Sequence, residues 1–517
     1  MVDFTPLLRL YAWQRLHRLE RMDPVAVQRR QLLDLMRRAQ DTAFGRAHGF
    51  AEIHSVADFQ RRVPLRRYED FWQEYWRDAF PNLAGTTWPE DAPYFAVTSG
   101  TSTGRTKYIP VTTPMARSNR RAGIDVLAYH LRNRPGSRVL GGKNFMLSGS
   151  IDLVEQAPGI LSGDLTGIAV HELPRLLRWL TFPPAHLARE SDWEKKIARL
   201  AEASLREDIR TIAGTASWLL IFFDKLLELH PGPRRLHRFY PKLELVVHGG
   251  VNFAPYRVQF ESWIEGSGAE LREVYPASEG FFAFADRGTG EGLRLQTDGG
   301  LFYEFVPLQE LESENPARHW LETIETGVDY ALVVSTAAGL WGYVVGDTVR
   351  FLDRQPPRLL MTGRTSYFLS AFGEHLTGEE IDQALTGAAA RLGIEIADYS
   401  VGAVFPRDGK RRGGHLFVVE FGRKGGSPDA AGQFVSIVDR LLCETNDDYQ
   451  AHRAEDFGMD PPEVIVVAHG SFAAWMRSRG KLGGQNKVPR VINDEALFAG
   501  LQDFMRDRTL ARAAAGP

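Results

Sequence analysis

Between residues 242 and 363 the chain repeats one pattern, in which a short run of aliphatic and aromatic residues ends in a polar or glycine-bearing turn. Such runs are typical of β-strands, and we predict six of them, at residues 242–250, 270–278, 301–308, 329–336, 340–351 and 359–363. Helical and strand patterns alternate from residue 95 onward, whereas residues 1 to about 90 have the apolar spacing of helices. The mixture predicts an α/β fold in which β-sheets and barrel-like layers are covered by helices.

A change of pattern near residue 365 predicts a second domain. The chain has 517 residues, which is too long for one ordinary hydrophobic core. After residues 363–381 it turns to a smaller α+β pattern with a clear hairpin at 399–422. We therefore predict a large N-terminal domain, residues 1–365, and a smaller C-terminal domain, residues 366–517. The final AAAGP is expected to be a frayed tail.

Charge and hydropathy limit the partners of this chain. The net charge of -3 leaves no extended basic field, so we expect no nucleic acid partner. No run of about 18 apolar residues is present, so we expect nothing that spans a membrane and no membrane partner. Eight arginines lie in the first forty residues, where we expect them on the solvated faces of helices. Asp23 and Pro24 are suited to the N-cap and first position of the second helix.

The single cysteine, Cys443, excludes an internal disulfide and a cysteine-based zinc cluster. It lies in an amphipathic pattern, where we expect a structural thiol rather than a nucleophile. One cysteine in a chain of this length suits a reducing compartment, and we expect the cytoplasm. A monomer is compatible with all of these features.

The stretch FAVTSGTSTGRTKYIPVT, residues 95–112, has strand-like ends around a polar middle that we read as a loop. Its glycines permit close backbone approach to a ligand, and its hydroxyls and lysine add donors of the kind that cradle phosphates. The residues concerned are Ser99, Gly100, Thr101, Ser102, Thr103, Gly104 and Lys107. A hairpin tip of ordinary composition is the alternative. The spacing is not that of a Walker A motif, which disfavours a P-loop ATPase.

Four further segments could complete a nucleotide site. Glu279, after Ser278 in VYPASEG, could carry Mg²⁺ between phosphates. Asp347 in YVVGD suits a ribose diol, and Arg364 in MTGRTSYF could follow the nucleotide. The glycine-rich loop at 480–491 could bring a mobile lysine to phosphates. For Glu279 taken alone an exposed acidic turn is the favoured interpretation, and a turn aspartate, a surface arginine and a solvated basic loop are the alternatives for the other three segments.

The order of these segments resembles the adenylate-forming superfamily of acyl ligases and adenylation domains. Three features are closer to one branch, the auxin-responsive Gretchen Hagen family of acyl-acid amido synthetases: the long glycine loop, AAGLWGYVVGDTVRF, and GGQNKVPR near the end. TAFGRAHGFAEIHSVADFQRRVPLRRYEDF extends the resemblance into the first third of the chain. Departures from the family pattern include Gly342 and Val344 where arginines are typical, and Asn486 in place of a tyrosine.

The resemblance implies an enzyme that adenylates a carboxylic acid with ATP and Mg²⁺, and then transfers the acyl group to the amine of an amino acid. It implies a phosphate-binding loop from Ser99 to Lys107, Glu279 on Mg²⁺ and Asp347 on the ribose. Lys487 would stabilise charge at the α-phosphate, with the smaller domain rotating near Arg364 between the two steps. It also places Gly249, Gly250, Tyr275 and Ser278 around the nucleotide.

Two alternatives remain open at this point. An acyl-CoA ligase would share the adenylation step and transfer the acyl group to a thiol. A non-catalytic nucleotide sensor would use the same pocket without turnover. The acid and the amine are not indicated by the sequence, because acyl pockets are built from ordinary apolar side chains.

Overall fold

A computed structural model describes residues 2–98, 106–148, 151–173, 175–190, 193–250, 253, 257–288, 290–311, 313–365, 368–369, 371–372, 374, 376–394, 396–405, 412–422, 430–454, 458–479 and 488–515. Its helices are α1 (Thr5–Arg21), α2 (Pro24–Ala39), α3 (Ala43–Ala47), α4 (Val56–Arg62), α5 (Tyr68–Phe71), α6 (Thr113–Asn133), α7 (Leu165–His171), α8 (Arg175–Arg178), α9 (Ala185–Ala188), α10 (Trp193–Ser204), α11 (Ala216–Leu229), α12 (Arg257–Ile264), α13 (Gly378–Leu392), α14 (Ala431–Thr445), α15 (Asp447–Arg453), α16 (Ser471–Ser478) and α17 (Glu495–Met505). In this part of the chain no helix is both long enough and apolar enough to cross a bilayer.

The strands form four sheets among the described residues. They are β1 (Tyr94–Thr98), β2 (Lys107–Val111), β3 (Lys143–Met146), β4 (Leu153–Ala157), β5 (Ile160–Gly163), β6 (Thr181–Phe182), β7 (Ile209–Thr215), β8 (Leu245–Gly249), β9 (Glu270–Ala277), β10 (Gly280–Phe284), β11 (Leu293–Leu295), β12 (Leu301–Pro307), β13 (Asp329–Thr336), β14 (Tyr343–Arg354), β15 (Pro357–Arg364), β16 (Phe368–Leu369), β17 (Leu376–Thr377), β18 (Ile396–Val404), β19 (Gly414–Phe421), β20 (Glu463–Val467) and β21 (Thr509–Ala514). The chain divides into two compact units, the first ending at Thr365 and the second containing residues 366–517.

The first unit is built on an eleven-stranded sheet of described strands in the order β12-β13-β14-β15-β11-β10-β9-β8-β7-β3-β6. The strands from β9 to β6 in this order pair in parallel, and those from β12 to β9 pair antiparallel. A smaller sheet, β2-β1-β5-β4, accompanies it. Every residue of β12 is buried, because both faces of this strand are covered.

The predicted α/β class is confirmed, with a large sheet-rich N-terminal part and a smaller C-terminal part. All six predicted strands are present, although the run at 340–351 pairs only from Tyr343 onward. Gly342 precedes it with φ +56°, a left-handed conformation that interrupts the extended backbone. The helix at Asp23 and Pro24 is also confirmed, since the Asp23 carboxylate accepts hydrogen bonds from the N–H groups of Val25 and Ala26.

The second unit contains a four-stranded sheet, β18-β19-β20-β21, with an apolar cluster on each face. Alternation along β19 explains this arrangement: Phe417 and Val419 join the cluster with α13 and α14, while Leu416 and Val418 join the cluster with α16 and α17. Cys443 is half-buried on α14, and burial raises the pKa of its thiol to about 11, as suits a structural cysteine.

Two expectations from the sequence are wrong. The AAAGP tail is not frayed throughout, because Ala513 and Ala514 belong to β21 and pair with β20. Backbone pairing to a neighbouring strand selects this conformation, for which alanine has little preference of its own. Arg15 is not solvated either: it is buried and forms ion pairs with Asp125 at 2.8 Å and Asp298 at 2.6 Å.

Candidate active site

Glu279 lies in the tight turn between β9 and β10. Ala277 pairs with Gly280, so Ser278 and Glu279 are the two residues that connect the strands. The turn is at the carboxyl end of β9, which runs parallel to β8 and β7. In α/β sheets, ligands gather at this end of the strands.

Glu279 is 9% exposed and its carboxylate receives a hydrogen bond from the Tyr343 hydroxyl. Burial raises the pKa of Glu279, and the charge of Asp347 raises it further. A backbone hydrogen bond, the Tyr343 hydrogen bond and the Lys107 charge oppose this rise. Burial, followed by the charge of Glu279, also raises the pKa of Tyr343 well above its usual range. Tyr343 therefore remains a hydrogen-bond donor at physiological pH.

Asp347 is the second buried carboxylate of the site. It follows Gly346 on β14, and its Cα partner on β15 is Arg364. The Tyr275 hydroxyl donates a 2.6 Å hydrogen bond to Asp347 Oδ2. Because Tyr275 is on β9 and Asp347 on β14, this bond links two strands that are not neighbours in the sheet.

Lys107 is the first residue of β2 and pairs with Thr98, the last residue of β1. It therefore flanks the glycine-rich loop. Its Nζ lies 3.8 Å from Glu69 Oε1 and 5.4 Å from the centroid of the Tyr68 ring. The Tyr68 hydroxyl accepts a 2.9 Å hydrogen bond from the N–H of Tyr108, which holds β2 against α5. The Lys107 charge also acts on the Glu279 carboxylate and lowers its pKa.

Gly249 is the last residue of β8 and pairs with Val274, the residue before Tyr275 on β9, and Gly250 follows the strand. A Cβ at Gly249 would lie 2.2 Å from the carbonyl oxygen of Val274, so no larger residue fits the observed backbone. Gly250 has φ +84°, a conformation that favours glycine. The sheet thus turns sharply at this edge with its backbone accessible to a ligand.

The structure brings together five of the predicted residues in the first unit: Lys107, Tyr275, Ser278, Glu279 and Asp347. Gly249 and Gly250 lie at the same edge of the sheet. Other predictions fall outside the described residues, namely Ser99, Gly100, Thr101, Ser102, Thr103, Gly104, Lys487 and the side chain of Arg364.

Sequence reasoning missed Tyr343, Tyr68 and Glu69 as members of the site. A signal for each was present, since Tyr343 belongs to the LWGYVVGD segment and the other two to RRYEDF. Both segments were used for the resemblance without a role for these side chains. Their role depends on spatial convergence, because Glu69 and Tyr343 are 274 positions apart but interact electrostatically.

The arrangement can bind a cation and a polar ligand together. No group of three or more His, Cys, Asp or Glu side chains suited to a metal ion occurs within the described ranges. Mg²⁺, however, is commonly held by one or two carboxylates with phosphates and water completing the shell. Glu279, with a second carboxylate close enough to raise its pKa, fits that requirement.

Models of three domains of one family match this chain. The GH3 family N-terminal domain matches residues 15–198, the central domain residues 295–364 and the C-terminal domain residues 379–496. The chain belongs to the GH3 family. The matches occur in the family's order and cover well over half of the chain.

Curated GH3 relatives include a probable indole-3-acetic acid-amido synthetase GH3.1 from Oryza sativa subsp. japonica, 29% identical over 37% of this chain and 33% of the relative. Indole-3-acetic acid-amido synthetase GH3.3 from Arabidopsis thaliana is 27% identical over 41% of this chain and 36% of its own length. The chain thus spans about a third of the length of these relatives. A longer match, to probable GH3.9 from Oryza sativa subsp. japonica, is 25% identical over 62% of this chain and 76% of the relative.

Solved structures show the same fold. The AtGH3.15 acyl acid amido synthetase in complex with 2,4-DB has a TM-score of 0.61 at 18% identity, covering 100% of this GH3 chain and 99% of the other. A 2-hydroxyisobutyryl-CoA ligase in complex with 2-HIB-AMP and CoA has a TM-score of 0.58 at 17% identity, covering 95% and 94%. At these identities the likeness concerns the fold.

Proposed function

We propose that this GH3 chain is an ATP-dependent acyl-acid amido synthetase. The observation that carries the proposal is the buried cluster of Glu279, Tyr343, Asp347 and Tyr275 at the carboxyl end of the parallel strands. Membership of a family whose relatives are named amido synthetases supports it. A sheet edge with two carboxylates and a lysine is suited to a nucleotide and its metal ion.

The reaction has two steps. A carboxylate oxygen of the acid attacks the α-phosphorus of ATP, the bond to the β-phosphate bridging oxygen breaks, and pyrophosphate leaves. The amine of an amino acid then attacks the acyl carbonyl, AMP leaves and the nitrogen loses a proton. Adenylation supplies the leaving group that a free carboxylate lacks.

Each of the site residues has a distinct role in the proposed reaction. Lys107 and the loop from Ser99 to Gly104 bind phosphates. Asp347, oriented by Tyr275, accepts hydrogen bonds from the ribose hydroxyls. Tyr343 orients Glu279, which would hold Mg²⁺, and that ion would neutralise phosphate charge. Gly249 and Gly250 allow the nucleotide to approach the backbone.

We further propose that residues 366–517 act as a mobile domain that carries Lys487, with rotation near Arg364 between the two steps. Support comes from the division of the chain into two compact units, each with its own core. The single cysteine and the use of ATP favour the cytoplasm as the site of the reaction. Nothing in the proposed chemistry requires more than one copy of the chain.

The deciding experiment measures pyrophosphate release with ATP, Mg²⁺ and a panel of aryl, indolyl and fatty acids, in the presence of amino acids, CoA or neither. We expect acid-dependent pyrophosphate release, and amide product only with amino acids. Formation of a thioester with CoA, and of no amide with amino acids, would show that the enzyme is the alternative, an acyl-CoA ligase. ATP binding with no turnover of any acid would instead indicate the sensor.

The lysine assignment is tested by a matched pair of substitutions on one loop. Lys487→Ala should slow adenylation by about 10²–10³-fold, which is typical for loss of a preorganised donor to developing charge. Lys481→Ala should have little effect. Supplied acyl-adenylate should still be converted to amide by the Lys487 variant. The opposite ranking of the two lysines would place the catalytic position elsewhere on the loop.

A further inference from the structure

The outward face of α1 is unusually apolar. The three most exposed large apolar side chains among the described residues are Trp13 at 71%, Leu7 at 68% and Val2 at 65%, and all three lie within the first thirteen residues. Leu10, 59% exposed, is on the same helix. Contiguous apolar patches on a folded protein commonly mark contact sites for a partner or a membrane.

The orientation of α1 is fixed by its opposite face. Leu8, Leu16 and Leu19 are buried, and the helix packs against α6 through clusters that include Tyr129. The Arg15 guanidinium binds both Asp125 and Asp298 in the body of the unit. Because removing one member of a buried ion-pair network is costly, the helix cannot turn to hide its outer residues.

Basic residues continue the outward face toward the end of α1. At 100° per residue, Leu7, Leu10, His17 and Arg21 lie on one side of the helix, with Trp13 at one border of this face and Arg18 at the other. Arg18 and Arg21 are exposed and form no ion pair with any described residue. The face thus has an apolar first half and a basic second half.

Two acidic residues near α1, Glu20 and Asp3, are paired with further arginines. Glu20 lies 2.6 Å from Arg132, and Asp3 lies 2.9 Å from Arg138. The charge of Arg18 acts on the Asp298 carboxylate, whose pKa it helps to lower, without forming a close ion pair. Both Arg18 and Arg21 remain exposed, so the second half of the outward face presents two arginines to solvent.

We propose, in contrast to the expectation from the sequence of no membrane partner, that α1 is a peripheral membrane contact that binds the surface of an anionic lipid bilayer. Leucine and tryptophan side chains enter the headgroup boundary, where the amphipathic indole is favoured, and arginines meet lipid phosphates. The helix lies on the bilayer without crossing it, so the absence of an apolar span in the described helices is no obstacle. The inference does not depend on the proposed reaction.

A second copy of the chain is the less favourable occupant. An isologous dimer through α1 would bring Arg18 and Arg21 of both copies to the same interface. Like charges then oppose association, whereas an anionic surface attracts them. A stable dimer also buries roughly 800 Å² from each partner, and one short helix face offers only a few apolar side chains.

Co-sedimentation of the full chain with lipid vesicles tests the proposal. We expect binding to an equal mixture of phosphatidylcholine and phosphatidylglycerol, little binding to phosphatidylcholine alone, and release at high salt. Leu10→Gln combined with Trp13→Gln should weaken binding by at least about tenfold, given the usual free energy of burying such side chains. Arg18→Gln combined with Arg21→Gln should weaken binding to the anionic vesicles by about thirtyfold, at roughly 1 kcal/mol per residue.

The matched control combines Val154→Gln with Leu510→Gln, two exposed apolar positions outside α1, and should bind vesicles as the parent does. Thermal melting of each variant shows that it is folded. The proposal is overturned if the parent ignores anionic vesicles, or if the control loses binding as strongly as the α1 variants. It is equally overturned if sedimentation velocity shows a parent dimer that Trp13→Gln dissociates, with no vesicle binding by either form.

Discussion

Glu279 in the first unit and Glu374 in the second are both buried carboxylates, but their pKa values are displaced in opposite directions. Burial raises the pKa of Glu279 and the charge of Asp347 adds to the effect. Burial would also raise the pKa of Glu374, but His415 and backbone N–H groups outweigh it and lower the value to about 2. The difference therefore lies in the partners of each carboxylate and not in its depth.

The partners of Glu374 satisfy both of its oxygens. Oε1 accepts a 3.1 Å hydrogen bond from the N–H of Ala371 and lies 2.8 Å from His415 Nε2, and Oε2 accepts a 2.7 Å bond from the N–H of Phe372. Such a carboxylate stabilises the fold in its ionised form. The backbone and Tyr343 hydrogen bonds of Glu279 do not outweigh its burial, and a like charge acts on it, so its pKa stays raised. Carboxylates with raised pKa values occur often at functional sites.

The largest expected effect is on catalysis at Glu279. Glu279→Gln should slow adenylation by about 10²–10³-fold, because a neutral amide cannot replace the charge that holds Mg²⁺. Thermal stability should be unchanged or higher, since a neutral amide is easier to bury than a carboxylate. Asp347→Asn should be the milder loss.

Pyrophosphate exchange with Mg²⁺ near its KM measures the rate at Glu279. Glu291→Gln, an exposed position in the same unit, is the control and should leave the rate unchanged. Parental exchange by both the Glu279 and the Asp347 variants would show that the carboxylates do not belong to the active site.

Glu374→Gln should mainly lower the stability of the fold, in contrast to Glu279→Gln, which should mainly lower the rate of adenylation. Either orientation of the amide places an NH₂ group against a backbone N–H donor, because both carboxylate oxygens accept such bonds. We expect a loss of about 3 kcal/mol, the scale for breaking a buried charged pair. The unfolding free energy of the second unit, measured by urea denaturation, gives this loss. Glu444→Gln, at an exposed position on α14, is the control. If Glu374→Gln and Glu444→Gln have the same unfolding free energy, the ionised Glu374 carboxylate does not stabilise the second unit.

Lowering the pH should remove the contribution of Glu374 to the unfolding free energy of the parent protein, because the carboxylate becomes protonated. Its folded pKa of about 2 lies below the model-compound value of 4.5, so its stabilisation is fully present above about pH 4.5 and is lost as the pH falls toward 2. A displacement of this size is equivalent to roughly 3 kcal/mol. The difference in unfolding free energy between the parent and Glu374→Gln should therefore shrink over this pH range. A constant difference from pH 5 to pH 2.5 would contradict the assignment.

Local pattern was sufficient to predict most strands and the N-terminal helices, because continuous β-branched and aromatic runs leave few other conformations. It failed for Ala513 and Ala514, whose strand depends on pairing with β20. The carboxylates Glu279 and Asp347 were predicted from their positions after strand-like runs, and both are buried in the structure, where the charge of Asp347 acts on Glu279. Glu374 was not predicted, because its partner His415 is 41 positions away and nothing in either segment indicates the contact.

The tyrosines of the site also have partners that are distant in the sequence. Tyr275 and Tyr343 are ordinary members of apolar strands by pattern, and each acquires its role from a carboxylate on another strand. Family resemblance indicated Tyr275 but not Tyr343. Partners across a sheet are set by register and topology, which a single sequence does not specify.

The smallest predicted effects come from two tyrosine substitutions, which distinguish the role of Glu279 from that of Asp347. Tyr343→Phe and Tyr275→Phe each remove one hydroxyl that donates to one carboxylate, Glu279 and Asp347 respectively. Each loss should cost roughly tenfold in adenylation efficiency, the scale of one hydrogen bond to a charged group. Tyr343→Phe should act mainly on kcat and on the Mg²⁺ dependence, and Tyr275→Phe mainly on the KM for ATP. Titrations of ATP and Mg²⁺ distinguish these outcomes, and identical changes in both variants would mean that the two carboxylates do not have separate roles.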